Sequence, residues 1–115
     1  MDSDYKMYVL INTDLKIGTG KKISQAAHAV QAVTEVMCNS KKDLLKRYKT
    51  SGQTKIVLKA TEQQMMELIN VYEADLKYIL DAGHTQVAAG SLTALAFYPM
   101  LPDAVPEVVQ KMKLL

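Results

Sequence analysis

The 115-residue chain has one cysteine, Cys38, and two histidines, His28 and His84. A lone cysteine excludes an intrachain disulfide and a structural zinc site, and with so few nitrogen and sulfur ligands no metal and no other cofactor is expected. No tract rich in proline, glycine or serine divides the chain, so residues 1–115 read as a single domain, long enough for one core. No apolar run approaches the roughly 20 residues that a spanning helix needs, which excludes a membrane helix. The opening MDSDYKM carries two acids and no hydrophobic segment. It resembles neither a signal peptide nor a basic transit peptide, so the expectation is a free cytoplasmic protein without an N-terminal anchor.

Charge is nearly balanced, at +2 overall, but unevenly distributed. Residues 1–59 hold 11 Lys and Arg against 5 acids, and residues 60–115 hold 3 against 7. A regional basic excess of this kind points to an anionic partner on one side, nucleic acid being the usual one.

Hydrophobic patterning gives the elements. Residues 7–13, MYVLINT, alternate between two largely apolar sets and predict a central strand covered on both faces. Ile23, Ala26, Ala27, Val30, Val33, Thr34 and Met37 recur at helical spacing, predicting a helix over 23–38 with those residues as its buried stripe. Lys21, Gln25 and His28, spaced by four and three, then point together on the opposite side. A short basic helix follows at 41–49 and a strand at 55–60. Thr61 with Gln64 forms a capping-box pattern that opens a helix ending near Asp75. Strands at 77–80 and 92–98, close in sequence, form an antiparallel pair, and Pro106 starts a last helical turn. The order β-α-α-β-α-β-β-α indicates a three-layer α/β/α domain with a four-stranded mixed sheet.

If the first and third strands run parallel, the loops TDLKIGTGK and DAGHTQ both leave the sheet at its carboxyl edge, where open α/β sheets bind ligands. That would gather Lys16, Lys21, Lys22, Asp81, Thr85 and Gln86 around a helix start suited to an anion. GTGKKI lacks the third glycine of a dinucleotide fingerprint, and a P-loop would need glycine at Leu15 and Ser or Thr at Lys22. There is no GxSxG, and Cys38 lies near the far end of its helix, so a covalent mechanism is disfavoured. Chemistry alone leaves hydrolysis and simple binding both open.

TDLKIGTGK followed by Gln25 and His28, GQTKIVLKA at 52–60, DAGHTQVAAGS at 81–91 and the terminal KLL together resemble the type II peptidyl-tRNA hydrolases, over nearly the whole chain. The resemblance implies a homodimer that cleaves the ester of peptidyl-tRNA without a metal. It implies Lys21, Asp81 and Thr85 as catalytic residues, with Lys16, Gly18, Gly20, Lys22, Gln25, His28 and Gln86 binding substrate. Thr19 and His84 stand where that family commonly has basic residues, and FYP replaces its usual GIGP, so tRNA binding is expected to be weaker or more salt-sensitive. The alternative is an inactive module of the same fold that binds RNA or a protein.

Overall fold

The computed structural model describes residues 4–83 and 88–115. Four strands, β1 (Met7–Asn12), β2 (Lys55–Ala60), β3 (Leu76–Leu80) and β4 (Leu92–Phe97), form one sheet in the order β2-β1-β4-β3. β1 and β2 are parallel, and β4 runs antiparallel to both β1 and β3. β1, β2 and β3 therefore share a direction, and their carboxyl ends lie along one edge.

Four helices cover the two faces: α1 (Thr19–Ser40), α2 (Lys42–Thr50), α3 (Glu62–Tyr72) and α4 (Glu107–Gln110). Met7, Val9 and Ile11 of β1 pack with Ala29, Val33 and Met37 of α1 and Tyr48 of α2. On the other face Leu10, Leu58, Leu95 and Phe97 pack with Met65 and Leu68 of α3 and Val109 of α4. Successive strand side chains point to opposite faces, so a strand apolar at nearly every position must be covered on both sides, and β4 is buried along its whole length. The expected three layers and mixed sheet are present. The capping box at Thr61 and Gln64 is formed, and a 3₁₀ turn at Glu73–Asp75 prolongs α3.

α1 departs from expectation in two ways. It starts at Thr19, not residue 23, so Gly20, Lys21 and Lys22 belong to its first turn instead of the preceding loop. Gly18, in extended conformation (φ −77°, ψ 171°), ends the loop and caps the helix, and tertiary packing overrides the weak propensity of a glycine in the first turn. The buried stripe is Gln25, Ala29, Val33 and Met37, whereas Ile23 is 66% exposed and Ala27 is also exposed. A polar Gln25 can occupy that row because both the nitrogen and the oxygen of its amide have partners, as described below.

One irregularity shapes the site. Ile79 pairs with Ala94 but Leu80 pairs with Leu92, so Thr93 is an extra residue, a bulge in β4. Strict alternation would place Thr93 opposite Ala94; the bulge turns both toward α1.

Candidate active site

The loop from β1 to α1 is anchored by Ile17, which is 8% exposed, and delivers the start of α1 to the carboxyl edge. The first N–H groups of a helix have no intrahelical acceptor and carry its partial positive charge. No atom lies within 4 Å of where a Cβ on Gly20 would stand, so a ligand can approach the backbone there.

Lys21, in that first turn, forms an ion pair through Nζ with Oδ1 of Asp81, the residue that follows β3. Their side chains are 13% and 4% exposed, so the pair is largely removed from water. Gln25, one turn further along α1, donates from Nε2 to the same Oδ1 at 3.4 Å. The Thr93 hydroxyl donates to Gln25 Oε1 at 2.8 Å, which fixes which end of the amide faces Asp81. Oδ2 of Asp81 accepts from the Gly83 N–H at 2.7 Å. Thr93, Gln25, Asp81 and Lys21 thus form one buried chain of donors and acceptors running from β4 to the start of α1.

Thr93→Val removes the hydroxyl at a fully buried position and strands the Gln25 carbonyl. It is expected to cost about 1–3 kcal/mol of unfolding free energy, while Thr93→Ser, which keeps the donor, costs less. Denaturant melts of the two variants check this.

Of the residues singled out from the sequence, Lys21, Gln25 and Asp81 meet directly. Lys16, Gly18 and Gly20 are exposed, and Lys22 half-buried, around the same helix start. His28 is exposed, with Nε2 3.5 Å from the Ser24 hydroxyl. Thr85, Gln86 and His84 lie outside the described residues.

Two contributors escaped the sequence reading. Thr93 stands alone as a hydrogen-bonding side chain in LTALAF, yet only the bulge brings it to Gln25. Asn12, fully buried at the end of β1, donates to the Leu92 carbonyl at 2.8 Å and to Glu62 Oε1 at 3.3 Å, and accepts from the Asp14 N–H at 3.0 Å. It ties the ends of β1, β4 and α3 together beneath the site. A single Asn closing an apolar strand was its only signal.

The family described as "Peptidyl-tRNA hydrolase PTH2" matches residues 5–115. "Peptidyl-tRNA hydrolase 2, mitochondrial" of Bos taurus is 35% identical over 115 residues, covering 96% of this chain and 64% of that protein. "Peptidyl-tRNA hydrolase" of Methanococcus vannielii is 35% identical over 116 residues, covering 96% of this chain and 99% of the relative. "Probable peptidyl-tRNA hydrolase 2" of Schizosaccharomyces pombe is 34% identical, and this chain spans 55% of its length.

Proposed function

From the premise that the chain belongs to the peptidyl-tRNA hydrolase PTH2 family, we propose that it hydrolyses the ester joining a peptide to the terminal ribose of tRNA. The observation that carries this reading is the buried Lys21–Asp81 pair at an open helix start. The ester carbonyl sits against the first turn of α1. Water attacks the carbonyl carbon, and negative charge gathers on the carbonyl oxygen. The Lys21 ammonium and the free backbone N–H groups stabilise that charge. The carbon–oxygen bond to the ribose then breaks, the ribose oxygen takes up the proton that the attacking water gives up, and peptide acid and tRNA leave.

Asp81 acts as an anchor for the ammonium, since Oδ1 already accepts from Lys21 and Gln25 and Oδ2 from Gly83. An ammonium has three donors, and Asp81 engages one, leaving donors for the substrate oxygen. On the family pattern Thr85 is the third catalytic residue, and Gln86 binds substrate. Lys16, Gly18, Gly20, Lys22 and His28 receive the tRNA end, and residues 1–115 work as one domain.

The test is release of N-acetyl-aminoacyl groups from tRNA at low salt with a chelator present throughout. Cleavage is expected at an undiminished rate, because the mechanism needs no metal. A protein that binds tRNA but never cleaves it overturns the reading.

A second basic cluster, separated from Lys21 and Lys22 by the rest of α1, is available to the tRNA body. Lys42, Lys46 and Lys49 are exposed on α2, which begins where α1 ends, about 28 Å along the α1 axis from Lys21 at 1.5 Å per residue. Affinity is therefore expected to fall steeply with salt. Lys16→Ala and Lys22→Ala should each reduce the slope of log affinity against log salt by about 1, which filter binding across a salt series would measure.

A homodimer follows the same premise. Its supporting feature is the apolar groove between α1 and β2, lined by Val9, Ala26, Ala27, Val30 and Val57. Light scattering showing a monomer at micromolar concentration would remove it. No helix among the described residues is long and apolar enough to cross a membrane. The cytosol is the proposed compartment, and imaging of the tagged chain tests it against the mitochondrial name of the bovine relative.

A further inference from the structure

We infer that the groove between α3 and β3 holds the peptide moiety of the substrate, as an extended apolar segment leading away from the ester. This rests on the function proposed above and deepens it.

The groove has a volume of about 870 Å³ and is bounded by α3, by Tyr78 of β3 and by the segment Ala89–Leu92. Its upper end reaches the carboxyl edge on the sheet face opposite the Lys21–Asp81 pair, and there the segment that bounds it is tied to the backbone of Asp81. The Gly90 N–H donates to the Asp81 carbonyl at 2.7 Å, and the Asp81 N–H to the Ser91 carbonyl at 2.8 Å. Glu62, at the same end, meets Asn12. From there the groove runs down the length of α3 to Glu73.

Its chemistry separates the two halves of a peptidyl-tRNA. Met66 is 58% exposed and Tyr78 45% exposed, and both line it, with Leu80, 55% exposed, two residues on from Tyr78 in the same strand. Large apolar side chains converging on one concave surface mark a binding site, where single ones would mean little. Glu62, Glu67 and Glu73 also line it, and no lysine or arginine does among the described lining residues. Such a rim repels phosphates, so the RNA belongs on the basic side and the peptide here.

The sheet margin agrees. At the β2 margin the chain's own end is already paired: the Lys59 N–H donates to the Lys113 carbonyl at 2.8 Å, and the Leu115 N–H to the Val57 carbonyl at 3.0 Å. β3 is the other margin, and an extended peptide can lie along it.

Length follows from geometry. α3 has 11 residues, about 16 Å at 1.5 Å each, and an extended peptide advances about 3.3 Å per residue. The groove therefore accommodates roughly five residues.

The experiment uses one tRNA carrying N-blocked apolar peptides of one, three, five and seven residues. With wild type, KM is expected to fall about tenfold from one residue to five and then level off. Met66→Glu and Tyr78→Glu, both at exposed positions, should flatten the series while leaving KM and kcat for the one-residue substrate unchanged. A flat wild-type series, or a series that survives both variants, overturns the inference while leaving the hydrolase reading intact. Variants that weaken the one-residue substrate equally would place RNA in the groove and overturn it too. A wild type that cleaves none of the substrates overturns the hydrolase reading and this inference with it.

Discussion

Lys21→Ala is expected to lower kcat on N-acetyl-aminoacyl-tRNA by roughly 10²- to 10³-fold, the usual cost of removing one stabiliser of a developing oxyanion. KM should change far less, because the ammonium acts on charge that exists only in the transition state. Asp81→Asn should cause a loss of similar size by another route. Both Asp81 oxygens accept, so the amide must turn its NH2 toward either the Gly83 N–H or the Lys21 side, and the negative charge that anchors the ammonium is gone in both cases. If the two residues act as a unit, the double variant is no slower than either single one. A Lys21→Ala protein that folds and keeps full turnover would sink the assignment.

Stability separates this catalytic coupling from simple structural damage. With Asp81 4% exposed, Lys21→Ala leaves a buried carboxylate without its cation, which costs about 3–5 kcal/mol. Lys21→Met combined with Asp81→Asn removes both charges and should regain much of that loss. Activity should not return with it. Unfolding curves and single-turnover rates on the wild type, Lys21→Ala, Asp81→Asn and the Lys21→Met/Asp81→Asn double variant would show stability recovering while catalysis stays lost.

How far the residues announced this arrangement depends on which interaction set each feature. β1 and β4, apolar at nearly every position, announce themselves as central strands because double burial leaves no other solution. The Thr61 capping box is local and was readable for the same reason. The face of α1 was not. Its inward row begins with a lysine and a glutamine, whose presence there depends on Asp81, sixty positions from Lys21, and on Thr93, turned inward by a bulge. Hydrophobic periodicity therefore selected Ile23 and Ala27, which are exposed, and missed Gln25, which is 4% exposed. Polar burial is cheap only where partners exist, and partners distant in sequence leave no periodic trace. The start of α1 was misplaced by a related effect, since Gly18 and Gly20 suggest a turn to any local rule.

Gly83→Ala is expected to disable the site from a distance of two residues. Gly83 has φ +82°, a left-handed conformation that costs an L side chain roughly 1–2 kcal/mol. A Cβ there would also stand 2.7 Å from Cα and 2.8 Å from the backbone nitrogen of Ala89, and backbone atoms cannot rotate aside. The segment must shift, and the Gly83 N–H that holds Asp81 Oδ2 shifts with it. Displacement near 1 Å at a catalytic group costs on the order of 10²-fold in rate, so kcat should fall by about that factor. Gly52→Ala is the matched control. Gly52 has φ +100° but nothing within 4 Å of a new Cβ, and it lies in the turn between α2 and β2, away from the carboxyl edge. Both variants should therefore lose conformational stability, while only Gly83→Ala loses turnover. Equal turnover in the two would mean that the Asp81 carboxylate does not depend on the Gly83 N–H for its position, and that its remaining partners, Lys21 and Gln25 among them, hold it in place.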